Sequence, residues 1–269
     1  MSIFIDILIG KRELSPPTLP DHTSPLSEWS DTIWTNVLER FVSDSGLVDY
    51  VGLREDIDFI RLVEVVSRQS PQSHPDLFAT QRAALSFWIN AYNLLTIWAV
   101  LSDDISSSVQ DSSVSGWIRI NAEQDFFVGN RVKVGGTWMN LYDLENKVIR
   151  GYGDGRIHAA INCASNSCPM LENRAFEGVD LEERLDLAMR RMINSSRHLQ
   201  VDTVQQIVYA SPIFDWYKSD FNARRRRHLF GYWIDFAEEP LLSSLRRAKD
   251  EQFNIRWMND DSGLNQRKG

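Results

Sequence analysis

Between Ser30 and Val42 the apolar residues Ile33, Trp34, Val37, Leu38 and Phe41 recur at steps of one, three and four, which predicts an amphipathic helix. The same spacing predicts a second helix over Ile57–Ser67 and a long one from about Leu77 to Leu101. Val48–Leu53 reads as a turn and a short extended piece. Phe126–Trp138 predicts a hairpin, because Gly129-Asn130 and Gly135-Gly136 tolerate positive φ while Val132 and Val134 alternate with Arg131 and Lys133. Leu141, Leu144, Glu145, Val148 and Ile149 share one helical face, whereas Ile157–Ala164 is too short to separate a buried strand from a helix. Asp180 and Glu183 make a capping-box-like start to a helix through Ile193, with Leu185, Ala188, Met189 and Met192 inward. Gln206–Ala210 is a strand candidate. Ser211-Pro212 opens a short aromatic helix, Ile213–Phe221, and Arg224–Ala237 and Leu241–Lys249 continue as helices.

The run from Ala83 to Ser102 carries no charge and has the length of a membrane span, about 20 residues. Ser86, Asn90 and Asn93 interrupt it and no basic flank anchors it, so the expectation is a helix buried in protein, with no membrane partner. Pro16, Pro17, Pro20 and Pro25 mark residues 1–26 as an irregular amino-terminal arm. Residues 27–250 form the domain and 251–269 a tail whose last residues, from Asn259, should fray. The Ser- and Asp-rich segment Ser102–Ser115 reads as a loop. Together these elements predict one helix-rich α+β domain, with a long buried central helix and a small β-sheet or hairpin beside it.

Charge and cysteine content narrow the function. With 29 basic and 37 acidic residues among 269, the net charge of −8 argues against a nucleic-acid binder. Arg224 to Arg227 cannot share one helical face and reads as a solvated helix start. Two cysteines do not make a disulfide framework, and Ile3–Ile9 is too short and too acidic for a signal peptide, so a reducing cytoplasm with both thiols free is expected. Nothing predicts a cofactor, and one histidine beside two cysteines falls short of a metal site. The oligomeric state is not encoded in any visible pattern.

Candidate chemistry gathers in Arg156-Ile-His-Ala-Ala-Ile-Asn-Cys-Ala-Ser-Asn-Ser-Cys-Pro169. A thiolate nucleophile needs a base or cation to lower its pKa, and His158 is at hand. Five residues place His158 and Cys163 on opposite faces of a strand, or roughly 140° apart on a helix, so a direct dyad needs a chain break. Cys168 lies in a loop that could fold back toward the imidazole, with Pro169 suited to the first turn of a helix. Against this, Cys163 reads equally as a small buried side chain; a Cys163–Cys168 disulfide is geometrically possible but has little support in a reducing compartment. Asn90 and Asn93, three apart on the apolar helix, must either tie loops to it or contact substrate. Glu145 faces the core, where burial raises its pKa and Arg156 or His158 would oppose the rise. The aromatic stretch around Asp215, Trp216 and Tyr217 is either a pocket wall or a satellite core.

Four ordered blocks of this chain, Phe87–Thr96, Leu141–Arg150, Arg156–Pro169 and Ser211–Phe221, resemble the family of domains of unknown function numbered 547, over roughly residues 30 to 235. The resemblance implies that Trp88, Asn90, Asn93, Glu145, His158, Cys163, Ser165 and Cys168 are motif positions; it carries no reaction. Members of that family can be fused to glutaredoxin-like modules in plants, which fits a thiol-linked role. Many relatives have histidine where this chain has Asn146, so a mechanism using that position as base would lack it here. By residue type alone, the site is analogous to papain-like or transglutaminase-like thiol enzymes.

The expected function is a cofactor-independent cysteine hydrolase or acyl transferase acting on a small molecule or peptide. Cys168, or else Cys163, attacks; His158 is the general base; Glu145 orients it; Asn90 or Asn93 serves the oxyanion. Trp88, Asn162, Ser165, Arg156 and Tyr217 complete the expected substrate contacts. The alternatives are an isomerase, lyase or cyclase using His158 and Glu145 without a covalent step, and a non-enzymatic interaction module.

Overall fold

A computed structural model describes residues 12–105, 108 and 122–267. The segment Ile3–Ile9, by its sequence too short for a signal peptide, and most of the loop Ser102–Ser115 lie outside the described residues. The architecture is α+β, with helices and two three-stranded sheets around two hydrophobic cores.

The first core surrounds the long apolar helix. Helices α1 (Asp31–Phe41), α2 (Tyr50–Leu53) and α3 (Ile57–Arg68) precede α4 (Gln81–Ser102), which is buried from Ala84 to Leu101 except at Trp98. Each of the three longer helices is capped as its sequence dictates: Ser30, Asp56 and Thr80 accept hydrogen bonds from the backbone N–H of Ile33, Phe59 and Ala83. The apolar window of α4 is 94% buried, so protein surrounds it on every side. Its start is later than the pattern suggested, because Pro75–Leu77 forms a separate 3-10 turn.

Strand β1 (Arg12–Leu14) pairs in parallel with β2 (Asn130–Val134), which pairs antiparallel with β3 (Thr137–Asn140). The amino-terminal arm is therefore not wholly irregular. A short strand completed by a partner 118 positions away leaves no local signal (Arg12 with Asn130, Leu14 with Val132). Ahead of β2, residues Ala122–Gly129 form helix α5 rather than a hairpin arm, and the turn falls at Gly135-Gly136, both at positive φ. Their N–H groups donate to the Val66 and Ser67 carbonyls, which docks the hairpin tip on α3.

The predicted helix over Leu141–Ile149 is broken into α6 (Leu141–Asp143), a π turn at Leu144–Val148 and a 3-10 turn at Ile149–Tyr152. Leu141, Leu144, Glu145 and Ile149 still face inward. Such π segments recur at functional sites. Ile157–Ala164 is neither strand nor helix: a 3-10 turn at Gly155–Ala159 leads into an irregular loop.

The second core packs α7 (Leu181–Ile193), β4 (Leu199–Asp202), β5 (Ile207–Ala210), the single turn α8 (Ile213–Trp216), α9 (Leu229–Phe236), α10 (Leu241–Asp250) and β6 (Asn254–Trp257). Strand β5 is central, antiparallel to β4 and parallel to β6. The tail does not fray as expected. Beyond β6, Leu264 and Asn265 are buried, and isolated bridges join Ser165 to Leu264 and Val48 to Gln266. Ile157 and Ala160 belong to the first core and Ala159 to the second, which puts His158 at the seam between them.

Candidate functional site

The loop from Ala160 to Pro169 belongs to no sheet; backbone bonds to the tail hold Ala164–Ser167, and side-chain amides satisfy much of the rest. Asn93, from the middle of α4, donates to the Ala160 carbonyl at 2.9 Å and accepts from the Asn162 N–H at 2.8 Å. Asn162 donates to the Pro169 carbonyl at 2.7 Å and accepts from the Ala164 N–H at 2.8 Å. Asn265 bonds Asn162 at 3.1 Å and itself accepts from the Tyr50 hydroxyl at 2.6 Å. Ala164 takes a positive φ of 63°, which turns the chain between the cysteines.

Within this loop Cys163 and Cys168 are joined as a disulfide, with Cα atoms 6.0 Å apart. The expectation of two free thiols is corrected: the amide scaffold holds the two Cα positions inside bonding range. Sulfur Sγ of Cys168 accepts the Cys163 N–H at 3.0 Å, and the Ser165 hydroxyl reaches both sulfurs, at 3.3 Å to Cys163 and 3.5 Å to Cys168. Cys168, Asn162, Ser165, Asn265, Arg197 and Asp261 line a cavity of about 270 Å³. No helix follows Pro169, so Cys168 gains nothing from a helix amino terminus.

His158 is engaged elsewhere. Its Nε2 lies 2.9 Å from Asp220 Oδ2, within hydrogen-bond distance, while its Nδ1 is 3.8 Å from Glu145 Oε1, too far for a hydrogen bond. Tyr217 stacks on the imidazole, centroids 4.0 Å apart, and Phe221 meets it edge-on. Asp220 is gripped by Arg150 through two parallel bonds of 2.6 and 2.8 Å, and Arg150 lies over the Tyr217 ring. Although partial burial acts the other way, the hydrogen bonds from Arg150 and His158 hold the Asp220 carboxyl well below the usual range. Burial pushes Glu145 up, opposed by His158, by the Tyr217 hydroxyl and by Arg150. The predicted partner Arg156 is absent from this network; Asp154, Glu182 and Asp186 bind it instead.

The family model described as "Protein of unknown function, DUF547" matches residues 78–193. This segment belongs to the DUF547 family. Neither the curated proteins nor the solved structures give a match to the chain. The DUF547 segment is narrower than the span from 30 to 235 and leaves the block Ser211–Phe221 outside it. It contains Asn90, Asn93, Glu145, His158, Cys163, Ser165 and Cys168; the fold puts Asn93, Cys163, Ser165 and Cys168 at one centre, Glu145 and His158 at another, and Asn90 at neither.

Within the DUF547 segment, the amides expected to meet an oxyanion are committed to backbone. Asn90 donates to the Phe176 carbonyl at 2.7 Å, accepts the Phe176 N–H at 3.0 Å and also reaches Asp31 at 3.2 Å. Trp88 is buried and its indole N–H bonds Tyr152. Neither residue lines the cysteine cavity. Phe214 and Phe221 are core, and of that aromatic stretch Tyr217 and Phe221 reach His158, Tyr217 by stacking and Phe221 by its edge contact. Sequence reasoning missed Asp220, Arg150, Arg197, Asn265 and Tyr92, whose hydroxyl donates to Glu145 Oε2 at 3.4 Å. Tyr92, Arg150 and Asp220 lie in the blocks Phe87–Thr96, Leu141–Arg150 and Ser211–Phe221, which were the available signal; Arg197 and Asn265 lie in none of the four.

Proposed function

We propose that the protein is a cysteine-dependent enzyme whose disulfide is its latent form and whose reduced Cys168 attacks an acyl or other electrophilic carbon of a small molecule or peptide. The observation that supports this is the position of Cys168 Sγ, on the wall of a cavity and under two hydrogen-bond donors, the Cys163 N–H and the Ser165 hydroxyl. Donors of this kind favour a thiolate, and the Arg197 guanidinium at the same cavity adds positive charge.

Activation is thiol–disulfide exchange. A reductant thiolate bonds to Cys163 Sγ, the more exposed sulfur, and the S–S bond breaks with its electron pair going to Cys168. A second reductant thiol then releases Cys163 and carries away the oxidised reductant. The Cys168 thiolate adds to a carbonyl carbon, the tetrahedral adduct collapses with the carbon–leaving-group bond breaking, the leaving group takes a proton from solvent water, and a second water hydrolyses the thioester to the free acid, returning Cys168. In the cytoplasm, where we place this protein, disulfides are transient and serve catalysis or redox sensing. His158 is not the base in this scheme, because its Nε2 is engaged by Asp220 and the hydrogen bonds at the two sulfurs come from Cys163 N–H and Ser165 instead.

Iodoacetamide labelling read by mass spectrometry, with p-nitrophenyl acetate as acyl probe, tests the reading. Without reductant neither cysteine should label; after dithiothreitol, Cys168 should label with a pKa below about 8.5 and the protein should give an acetyl burst absent from Cys168→Ala. A burst that survives in Cys168→Ala, or a native disulfide that resists reduction, overturns it.

One observation favours a second reading, acid–base chemistry without a covalent step. Asp220, the partner of His158, also lines an open cleft of about 390 Å³ with Arg156, Tyr152 and Tyr232. Activity that persists in a Cys163→Ala, Cys168→Ala double variant and disappears in His158→Gln would select it.

A further inference from the structure

We infer that the cavity between the Glu28–Asp31 segment, the turn at Phe78 and the first turns of α4 binds an alkylated ammonium group. It shares no lining residue with the cysteine cavity and stands apart from the chemistry proposed there.

Three aromatic side chains, Trp29, Phe78 and Phe87, wall a space of about 230 Å³. That is below the roughly 300–1,000 Å³ of a drug-sized pocket, so one small head group fits. Trp29 and Phe87 meet edge to face with centroids 5.5 Å apart, and Phe78 leans on Phe87 at 4.7 Å. The Trp29 wall is pinned twice: its backbone N–H donates to Gln69 Oε1 at 3.2 Å and its indole N–H to Asp31 Oδ1 at 2.7 Å. Gly178 closes another side, and a Cβ there would sit 2.9 Å from Ala83 Cα and N, so only glycine allows this approach to α4.

The electrostatics select the ligand. Asp31 and Glu28 both line the cavity, and no Lys, Arg or His does. Oδ1 of Asp31 is taken by Trp29 and Asn90, whereas Oδ2 has no hydrogen-bond partner among the described residues. Burial pushes the Asp31 carboxyl up, and the charges of Glu177 and Asp180 push the same way. Arg174 is the cation placed against Glu177 and Asp180, at 3.1 and 3.4 Å, and Arg82 is turned to Glu182. Aromatic side chains around a carboxylate with no cation among the cavity's lining residues are the arrangement that holds quaternary and alkylated ammonium ions, through the ring quadrupole and the charge together. A neutral group of the same shape gains only the apolar contact.

The Trp29 indole N–H resonance in a 1H–15N spectrum, assigned with Trp29→Phe, reports occupancy directly. Choline should shift it saturably, and the neutral isostere 3,3-dimethylbutan-1-ol should bind at least about tenfold more weakly. Asp31→Asn, which keeps the acceptor for Trp29, should weaken choline about tenfold, and the exposed Glu28→Gln should weaken it by a smaller factor. A parallel titration with a short peptide carrying trimethyl-lysine identifies the source of the head group, free if choline binds tighter and protein-borne if the peptide does. The inference fails if the isostere binds as tightly as choline, if both Asp31→Asn and Glu28→Gln leave affinity unchanged, or if neither cation shifts the resonance at millimolar concentration.

Discussion

Asp220 joins His158 to Arg150 across 62 and 70 positions of sequence, and removing its charge leaves a guanidinium and an imidazole facing a neutral amide. Losing one partner of a fully buried pair costs about 3–5 kcal/mol; Asp220 keeps some solvent contact, so Asp220→Asn should cost about 2 kcal/mol at pH 7. Its folded-state pKa is depressed from the ordinary 3.8, so the wild-type advantage is complete above that value and is lost as pH falls through the folded value. Urea unfolding of both proteins from pH 7 downward should give a constant difference above about pH 5 that shrinks below about pH 4. A difference independent of pH would remove the ion pair as its cause. His158 and Glu145 were legible because histidine is chemically conspicuous and Glu145 keeps helical company with Leu141 and Ile149. Asp220 was not, because an ion pair between distant segments has no periodicity to read.

The decisive element is α4, which positions the cysteine loop through one side chain. Asn93→Ala would strand the Ala160 carbonyl and the Asn162 N–H in the interior, and each lost partner costs about 1–3 kcal/mol. We expect a loss of about 3 kcal/mol in denaturant unfolding and faster reduction of Cys163–Cys168 by dithiothreitol, since the loop would no longer be held to the helix. Unchanged reduction kinetics would show that the loop is fixed by other bonds. Helix α4 was predicted by its long uncharged run, and α1, α3 and α7 by spacing that matches the 3.6-residue turn. Ile157–Ala164 defied the same method. Its apolar residues turn toward two cores at once, and its polar backbone bonds to amides of α4 and the tail instead of to a regular ladder.

For the molecule as a whole, the chain's last described residues complete the cysteine cavity rather than hanging from it. Removing residues 264–269 would delete the buried Leu264 and Asn265 and leave the Tyr50 hydroxyl and Asn162 without that partner. Lost apolar burial and unpaired polar groups together should cost about 3–4 kcal/mol, read as a lowered urea midpoint. A truncated chain as stable as the full one would mean that this segment does not contribute to the core.

The sequence by itself determined the α+β class, the burial of α4, the positions of most helices and the segments in which polar chemistry collects. These follow from short-range rules: side chains three and four apart share a helix face, and an uncharged run must be covered. Only tertiary structure decided that Cys163 bonds Cys168, that His158 faces Asp220 and Glu145 rather than a sulfur, and that β1, β6 and Asn265 are integral parts of the fold. Those outcomes depend on which distant groups meet when two cores close on each other, and buried polar atoms take the partners that packing brings within reach.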